Sequence, residues 1–556
     1  MNAPSLAGDH DGAVVAVLIV GGGPTGVVAA TMLAQRGIET VVIDRYAEVY
    51  PLPRAVHLDD EVYRILQSIG AAEAFTAISQ PRQGLRVVDA RLRTMAQFDR
   101  TRPVGEYGWP QANFFDQPEL ERVLRDNLAR CPRARLLGRT ELVGLDQNGH
   151  GPAPVRAVLR DLDTGTQHTL WAHAVLGCDG ANSTVRELIG SSLLDLGFEE
   201  RWLVVDVASP QPLDVWDGVY QVSDTRRPAT FMQVAPGRYR WEFRLGDGES
   251  LEELITPHRL AELIRPWTKD VPFETLQVQR KAEYTFRARI ADRWQDRRVF
   301  LLGDAAHLTP PFIGQGLCAA MRDAANLTWK LAAVLAGSAP ESLLATYAGE
   351  RPEPAKALIK KAVLIGTVMT GGPSATASLR RAGLAALCRL PGVSEKVLDT
   401  PAPPLPAGPL VLKANGAALP GTLAPQPWVV AEGKRRRLDD VLGTGFAVLT
   451  TAPPPPQLRD LAGRLAAPVV LLAPVPLPGG AVEGVDAVAV DADGILLPWL
   501  AAAATTAVLV RPDRVVLAQA PPGRRGVDDT VHEAVRLAAP PAPRPGTPQR
   551  SAGGRS

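Results

Sequence analysis

An unbroken apolar run over residues 15–20, VAVLIV, ends in three glycines, the pattern of a strand buried on both faces of a parallel sheet. The stretch that follows, GVVAATMLAQRG, has helical spacing and stops at Gly37, and ETVVIDR is apolar again, so the spacing predicts one βαβ unit. Over 81–110 and again over 201–289 the period changes to two. In YRWEFRL, Tyr239, Trp241, Phe243 and Leu245 alternate with Arg240, Glu242 and Arg244, which predicts an antiparallel strand with one buried face. These two blocks interrupt an α/β chain and are expected to pair in one inserted sheet. After Phe300, VFLLGDAAH reads as a strand, and Leu317, Met321, Ala324, Leu327 and Leu331 share one face of a helix over 316–335. Further helices are expected to about residue 398.

A proline-rich segment over 399–410 reads as a semi-rigid linker. Beyond it, 411–539 alternates strands (FAVLTT, PVVLLAPV, DAVAV) with helices (QLRDLAGRLA, PWLAAAAT) and closes on a hairpin turning at Pro512 and Asp513. This arrangement resembles a thioredoxin-like domain, without a cysteine, so packing or dimerisation is its expected role. Lys434, Arg435, Arg436 and Arg437 precede Asp439 and Asp440 and read as a solvated turn rather than a nucleic-acid patch. Residues 1–14 and 540–556 read as disordered.

Composition narrows the partners. At 556 residues the chain is long enough for two or three domains. Sixty Lys plus Arg against 59 Asp plus Glu leave a net charge of +1, so no overall field draws it to nucleic acid or to an anionic membrane. Four scattered cysteines without a C-x-x-C pair predict no disulfide framework, zinc site or dithiol centre, and fit a reducing cytoplasm. The opening MNAPSLAGDHDGA is acidic and has no apolar run, unlike a signal or transit peptide, and no apolar stretch reaches the ~20 residues of a membrane span.

The chemistry lies in three fragments. Gly21-x-Gly23-x-x-Gly26 follows a strand and opens a helix. The first glycine allows the tight turn, the second a close approach of backbone to a pyrophosphate, and the third close packing of helix on strand. Asp44, followed by Arg45, ends the second strand at the distance expected of a ribose-binding acid, which favours FAD or NAD over NADP. The second fragment, VLGCDGANSTVRELIG, turns at Asp179 and Gly180. In the third, Gly303 and Asp304 end a buried strand, with Asp304 suited to accept from a ribityl hydroxyl; Gly314, Gln315 and Gly316 then offer backbone N–H groups at a helix N-terminus.

In this order and spacing the fragments resemble the class A flavoprotein aromatic hydroxylases, over about 15–398, and the cysteine-free tail domain is similar to that of their phenol hydroxylase branch. YPLPRAVHLDDEVYRILQSIG, EYGWPQANFFDQPELERVL, WLVVDV, RWEFRL and GQGLCAAMRDAANLTWKLA are similar to the branch that hydroxylates 3-(3-hydroxyphenyl)propionate. The resemblance implies an α/β + β fold. A Rossmann-like FAD-binding domain of the glutathione-reductase type would comprise 15–80, 111–200 and 290–398, with a substrate-binding antiparallel sheet of 81–110 and 201–289 inserted. It implies that the first motif holds the ADP half of FAD, that the Asp179-Gly180 motif is linked to FAD and the nicotinamide, and that Gly303-Asp304 binds the ribityl chain. Arg54 would lie over the flavin, Gln117 would contact its ribityl or ribose portion, and Pro311 would sit beside the isoalloxazine. From the residues alone, Arg54 also reads as a surface arginine and Gln117 as capping the helix that starts at Pro118; His57 and His307 read as loop or core histidines.

The implied reaction has NADH or NADPH reduce FAD, O2 add at C4a of the flavin as a hydroperoxide, and one oxygen pass to the ring position ortho to a phenol hydroxyl. The implied substrate is 3-(3-hydroxyphenyl)propionate or 3-hydroxycinnamate, giving the 2,3-dihydroxy product, with Arg240, Arg244 or a backbone turn as candidates for the side-chain carboxylate. A larger phenolic or polyketide ring is the alternative substrate. A single full glycine fingerprint implies that the nicotinamide visits transiently, and the branch implies NADH. A non-catalytic flavin-binding protein is the non-enzyme alternative; a dehydrogenase using the first βαβ alone leaves the third fragment unexplained. No metal is expected, and a homodimer is the family expectation.

Overall fold

Strand Ala13–Val20 lies inside an eight-stranded sheet, flanked in parallel by Thr40–Ile43 and Gln167–Gly177. The order runs Gln295–Asp296, Val299–Leu301, Gln167–Gly177, Ala13–Val20, Thr40–Ile43, Ala134–Leu137, and Val155–Asp161 and Thr140–Asp146 fold antiparallel beside Gln167–Gly177. The computed structural model describes residues 11–51, 55–99, 104–224, 226–269, 271–370, 383, 402–413, 416–476, 482–520 and 536–538. Arg54, residues 399–401 of the linker, the helices expected near 398, and residues 1–10 and 539–556 lie outside those residues, while Ala13 and Val14, expected in the disordered N-terminus, open the first strand. Val17, Leu18 and Ile19 are fully buried, as strands covered on both faces require. Helix Pro24–Gln35 packs on one side, and helix Gly316–Leu335 meets it through Thr328 Oγ1 and Met32 Sδ, 3.4 Å apart.

The second sheet also has eight strands, in the order His307–Leu308, Gln277–Ala291, Leu193–Ala208, Arg238–Arg244, Ala229–Ala235, Val219–Val222, Gly84–Val88, Thr94–Asp99. Val219–Val222 and Gly84–Val88 are parallel neighbours. One long strand begins at Leu193, earlier than the period-two pattern marks, because residues 193–200 already pair with 286–291. Strand Arg238–Arg244 departs from expectation in its faces. Tyr239, Trp241 and Phe243 are buried, with the Trp241 and Trp267 rings 6.3 Å apart across to helix Pro257–Thr268. Arg240 and Glu242 are buried as well. Asp206 on the neighbouring strand neutralises Arg240 through bonds of 2.7 and 3.0 Å, so this alternation separates apolar from buried polar residues rather than core from water.

A third sheet of seven strands runs Lys434–Arg437, Trp428–Ala431, Ala487–Val490, Val469–Ala473, Ala447–Thr450, Ala507–Val510, Val516–Gln519. The basic cluster is therefore an edge strand and not a solvated turn. The Arg437 guanidinium lies 3.9 Å from the Trp109 ring centroid and 4.8 Å from that of Trp428, and it donates to the Gly108 carbonyl. Asp439 is bonded twice by Arg64, at 2.7 and 2.8 Å, and approached by Arg514 at 3.1 Å. A second buried seam joins the hairpin turn to the first sheet's helices: Glu350 accepts from Arg511 at 2.8 and 2.9 Å, from Lys330 at 2.8 Å and from Asn326 at 2.7 Å, and Asp513 binds the far side of Arg511. No helix among the described residues is long and apolar enough to cross a membrane.

Candidate active site

The glycines of the first turn do three different things. Gly21 has φ +108°, and a Cβ there would run into the Cys178 carbonyl. A Cβ on Gly26 would overlap the Gly21 carbonyl oxygen, whereas one on Gly23 would meet nothing within 4 Å. The turn is thus closed beneath and open above. Helix Pro24–Gln35 starts there with no side-chain cap, leaving its first N–H groups for an anion. Asp44 is held at the end of its strand, accepting from the Gly22 N–H at 2.6 Å and the Tyr46 N–H at 2.8 Å; Arg45 is exposed beside it.

At the second motif the Asp179 carboxylate turns inward, accepting from Ser183 Oγ and from the Val185 N–H at 3.0 Å, and burial pushes its pKa up. Gly180, with φ +82° and open space where a Cβ would lie, faces the cleft. At the third, Gly303 has φ +60° and donates its N–H to Asp323 at 3.0 Å, while Asp304 is exposed and lines the cleft. Asp323 also accepts from His307 Nε2 at 2.9 Å and from Arg351 at 2.8 Å. Burial alone would raise its pKa, but Arg351 and His307 outweigh burial and hold it low. This triad was missed from sequence; its signal is Asp323, an acid within the largely apolar helix Gly316–Leu335.

Pro311 opens a short 3-10 turn, Pro311–Ile313, and Gly314 follows with φ +64°, its carbonyl 3.2 Å from His57 Nδ1. The Gln315 side chain faces away from the cleft and accepts from Arg322 at 2.9 Å; Arg322 in turn is bound by Asp59 and, at 2.6 Å, by Glu61. Gln117 is the first residue of helix Gln117–Leu128. It does not cap that helix: its Oε1 accepts from the Ala55 N–H at 2.6 Å and its Nε2 donates to Glu121 at 2.7 Å.

Gly23, Gly180, Asp304, Gln117, Pro311 and Gly314 line one cleft of about 380 Å³, which continues to the second sheet at Gln221, Thr230, Met232 and Glu242. Arg82 lines it as well and is buried, donating to Asp217 and, at 3.0 Å, to the Gln233 carbonyl. Arg240 and Arg244, the sequence candidates for a substrate carboxylate, do not line it; Arg240 is held by Asp206, and Arg244 lies 3.4 Å from Glu200. The open backbone at Gly23 and Gly180, the uncapped helix end and the continuous cleft fit an extended dinucleotide whose far end meets the second sheet.

The family model described as "FAD binding domain" matches residues 14–362, and a second, "HcaD C-terminal domain", matches 421–533. The chain belongs to the FAD-dependent aromatic hydroxylase family. It is 36% identical to 3-(3-hydroxy-phenyl)propionate/3-hydroxycinnamic acid hydroxylase 2 of Burkholderia vietnamiensis, over 90% of this chain and 93% of that protein. It is 33% identical to a Rhodococcus jostii protein named "Probable NADH-specific resorcinol 4-hydroxylase", over 96% of each. The solved structure of aklavinone-11 hydroxylase with FAD and aklavinone superposes with a TM-score of 0.76 at 24% identity, covering 96% of this chain and 99% of that one, which establishes the shared fold.

In this FAD-dependent hydroxylase, Asp304→Ala is expected to weaken flavin retention by ~1–3 kcal/mol, the worth of one polar contact to a ribityl hydroxyl. Fluorescence titration of the flavin-free protein with FAD measures it; an unchanged dissociation constant would remove Asp304 from the site.

Proposed function

We propose that the protein hydroxylates 3-(3-hydroxyphenyl)propionate or 3-hydroxycinnamate next to the ring hydroxyl, in the cytoplasm, with NADH as electron donor. The observation that carries this reading is the single cleft joining the nucleotide turn to a polar sheet wall. The names of the Burkholderia and Rhodococcus relatives supply the phenol class and the donor. Gly21, Gly23, Gly26, Asp44 and Arg45 would hold the ADP half of FAD, Gly180, Gly303, Asp304 and Gln117 its middle, and Pro311 with Gly314–Gly316 the ring, while Arg54 would cover it. Bound FAD, once reduced, supplies the activation of O2. Residues 15–80, 111–200 and 290–398 form the flavin unit in this reading, the inserted sheet forms the substrate wall, and the thioredoxin-like unit packs against both.

The chain's own contribution is orientation and exclusion of water. Phe98, Phe114 and Met232 give the cleft apolar walls, and among the described lining residues Arg82 is the one guanidinium. Asp217 and the Gln233 carbonyl take its terminal nitrogens, and its buried Nε, which has no hydrogen-bond partner among the described residues, is left to meet an acidic side chain. The test is aerobic NADH oxidation by the purified flavoprotein with and without 3-(3-hydroxyphenyl)propionate, with products weighed by mass spectrometry. Stimulated oxidation with a product heavier by one oxygen is expected. Oxidation that the phenol does not stimulate would sink the substrate assignment.

A further inference from the structure

The sheet wall of the cleft carries a row of polar residues that flavin binding does not use. Register places Gln221 opposite Thr230 and Thr230 opposite Glu242, and all three line the cleft. Thr230 Oγ1 donates to Gln221 Oε1 at 2.9 Å, so those two satisfy each other. Glu242 is outside that pair. It is 8% exposed, and no described residue donates a hydrogen bond to its carboxyl. The charged groups around it are Arg240 on its own strand, Asp206 on the neighbouring strand and Arg280 on the strand beyond, with His57, Arg82 and Asp304 elsewhere along the cleft. Asp206 holds Arg240 through two bonds and lies 3.6 Å from Arg280, so it offsets part of the positive charge near Glu242. Burial pushes the Glu242 pKa up to about 7 against the pull of Arg240 and Arg280. A buried acid without a donor is costly, and such a group on a cleft wall is placed to meet a donor carried by a ligand.

We propose that Glu242 recognises the substrate's ring hydroxyl, its carboxylate accepting the hydrogen bond from the phenol O–H. This rests on the phenol reading above. The same charge turns an acidic side chain away from this part of the wall, while Arg82, which precedes the strand Gly84–Val88 at the end opposite Val87 and Gln221, receives it. One hydrogen-bond acceptor and one cation then set which way the ring enters.

The test uses the FAD-loaded protein and calorimetric binding of two matched pairs, 3-(3-hydroxyphenyl)propionate against 3-phenylpropionate and 3-hydroxycinnamate against cinnamate. The wild type is expected to favour the hydroxylated member by about tenfold or more at about pH 8, as a hydrogen bond to a charged acceptor gives, and by less at about pH 6, where Glu242 is protonated. Glu242→Leu should lose the preference at both pH values, and Glu242→Gln should keep a small remnant independent of pH. A purely structural Glu242 would weaken both members of each pair alike. An undiminished preference in Glu242→Leu overturns the assignment while leaving the phenol reading standing. A wild type with no preference for either hydroxylated ring overturns that reading, and the assignment with it.

Discussion

Glu350→Ala is expected to destabilise the folded protein by about 3–5 kcal/mol, because it strands Arg511 and Lys330, two fully buried cations, with Asp513 as their remaining acid. Urea unfolding followed by tryptophan fluorescence reads the loss, and a change under about 1 kcal/mol would show that the seam does not hold the third sheet to the helices. Replacing Glu350 with Leu and Lys330 with Met together should recover part of it, since an uncharged pair leaves less unsolvated charge. Acid gives an independent check. Burial alone would raise the Glu350 pKa, but Arg511 and Lys330 outweigh burial and bring it to about 2 from an ordinary 4.5. A depressed carboxyl stabilises the native state fully above its unfolded value and loses that contribution as pH falls toward the folded one. Wild type and Glu350→Ala should therefore differ most at neutral pH and converge between about pH 4.5 and pH 2.

Gly26→Ala should yield protein without yellow colour and with a lowered melting temperature. The added methyl overlaps the Gly21 carbonyl and presses on Ile19 Cγ2 at 3.2 Å, so helix Pro24–Gln35 must lift off its strand at a cost of about 1–3 kcal/mol. Displacing the helix N-terminus also moves the N–H groups that face the diphosphate. Gly23→Ala is the informative contrast: its methyl meets no protein atom within 4 Å, so the melting temperature of the flavin-free protein should hold while flavin occupancy falls. The ratio of flavin to protein absorbance, beside a thermal melt, separates the two. Full flavin content in Gly26→Ala would mean that the turn relaxes around the methyl.

These contrasts also mark what a sequence can disclose. Helix Gly316–Leu335 is readable to the residue because its apolar spacing is local, and the glycine turn because each of its positions answers to the chain within a few residues. Five of the seven strands of the third sheet follow for the same reason, whereas Trp428–Ala431 and the basic edge strand Lys434–Arg437 escaped it. Glu242 was legible as a polar position in an alternating strand, but its place on a cleft wall depends on register with Thr230 and on what covers that face. Arg240 looked like a candidate anion binder until Asp206, on a strand some thirty residues earlier, proved to hold it. Asp323, His307 and Arg351 meet only after three separate segments pack, and Arg437 finds Trp109 across more than half the chain's length. Periodicity carries the elements, while their polar partners are set by tertiary contact.

The parallel pairing of Gly84–Val88 with Val219–Val222 has a bearing on biosynthesis. The hairpin of Gly84–Val88 and Thr94–Asp99 leaves the ribosome with one edge open, and its neighbour follows roughly 130 residues later, several seconds at ordinary rates of translation. The first sheet waits about as long, since Val299–Leu301 completes the parallel row beside Gln167–Gly177. Neither sheet can close while the chain is half made, so the nascent protein carries exposed strand edges until a little more than half of it has been synthesised, and its yield in a cell will follow the supply of chaperones that shield such edges.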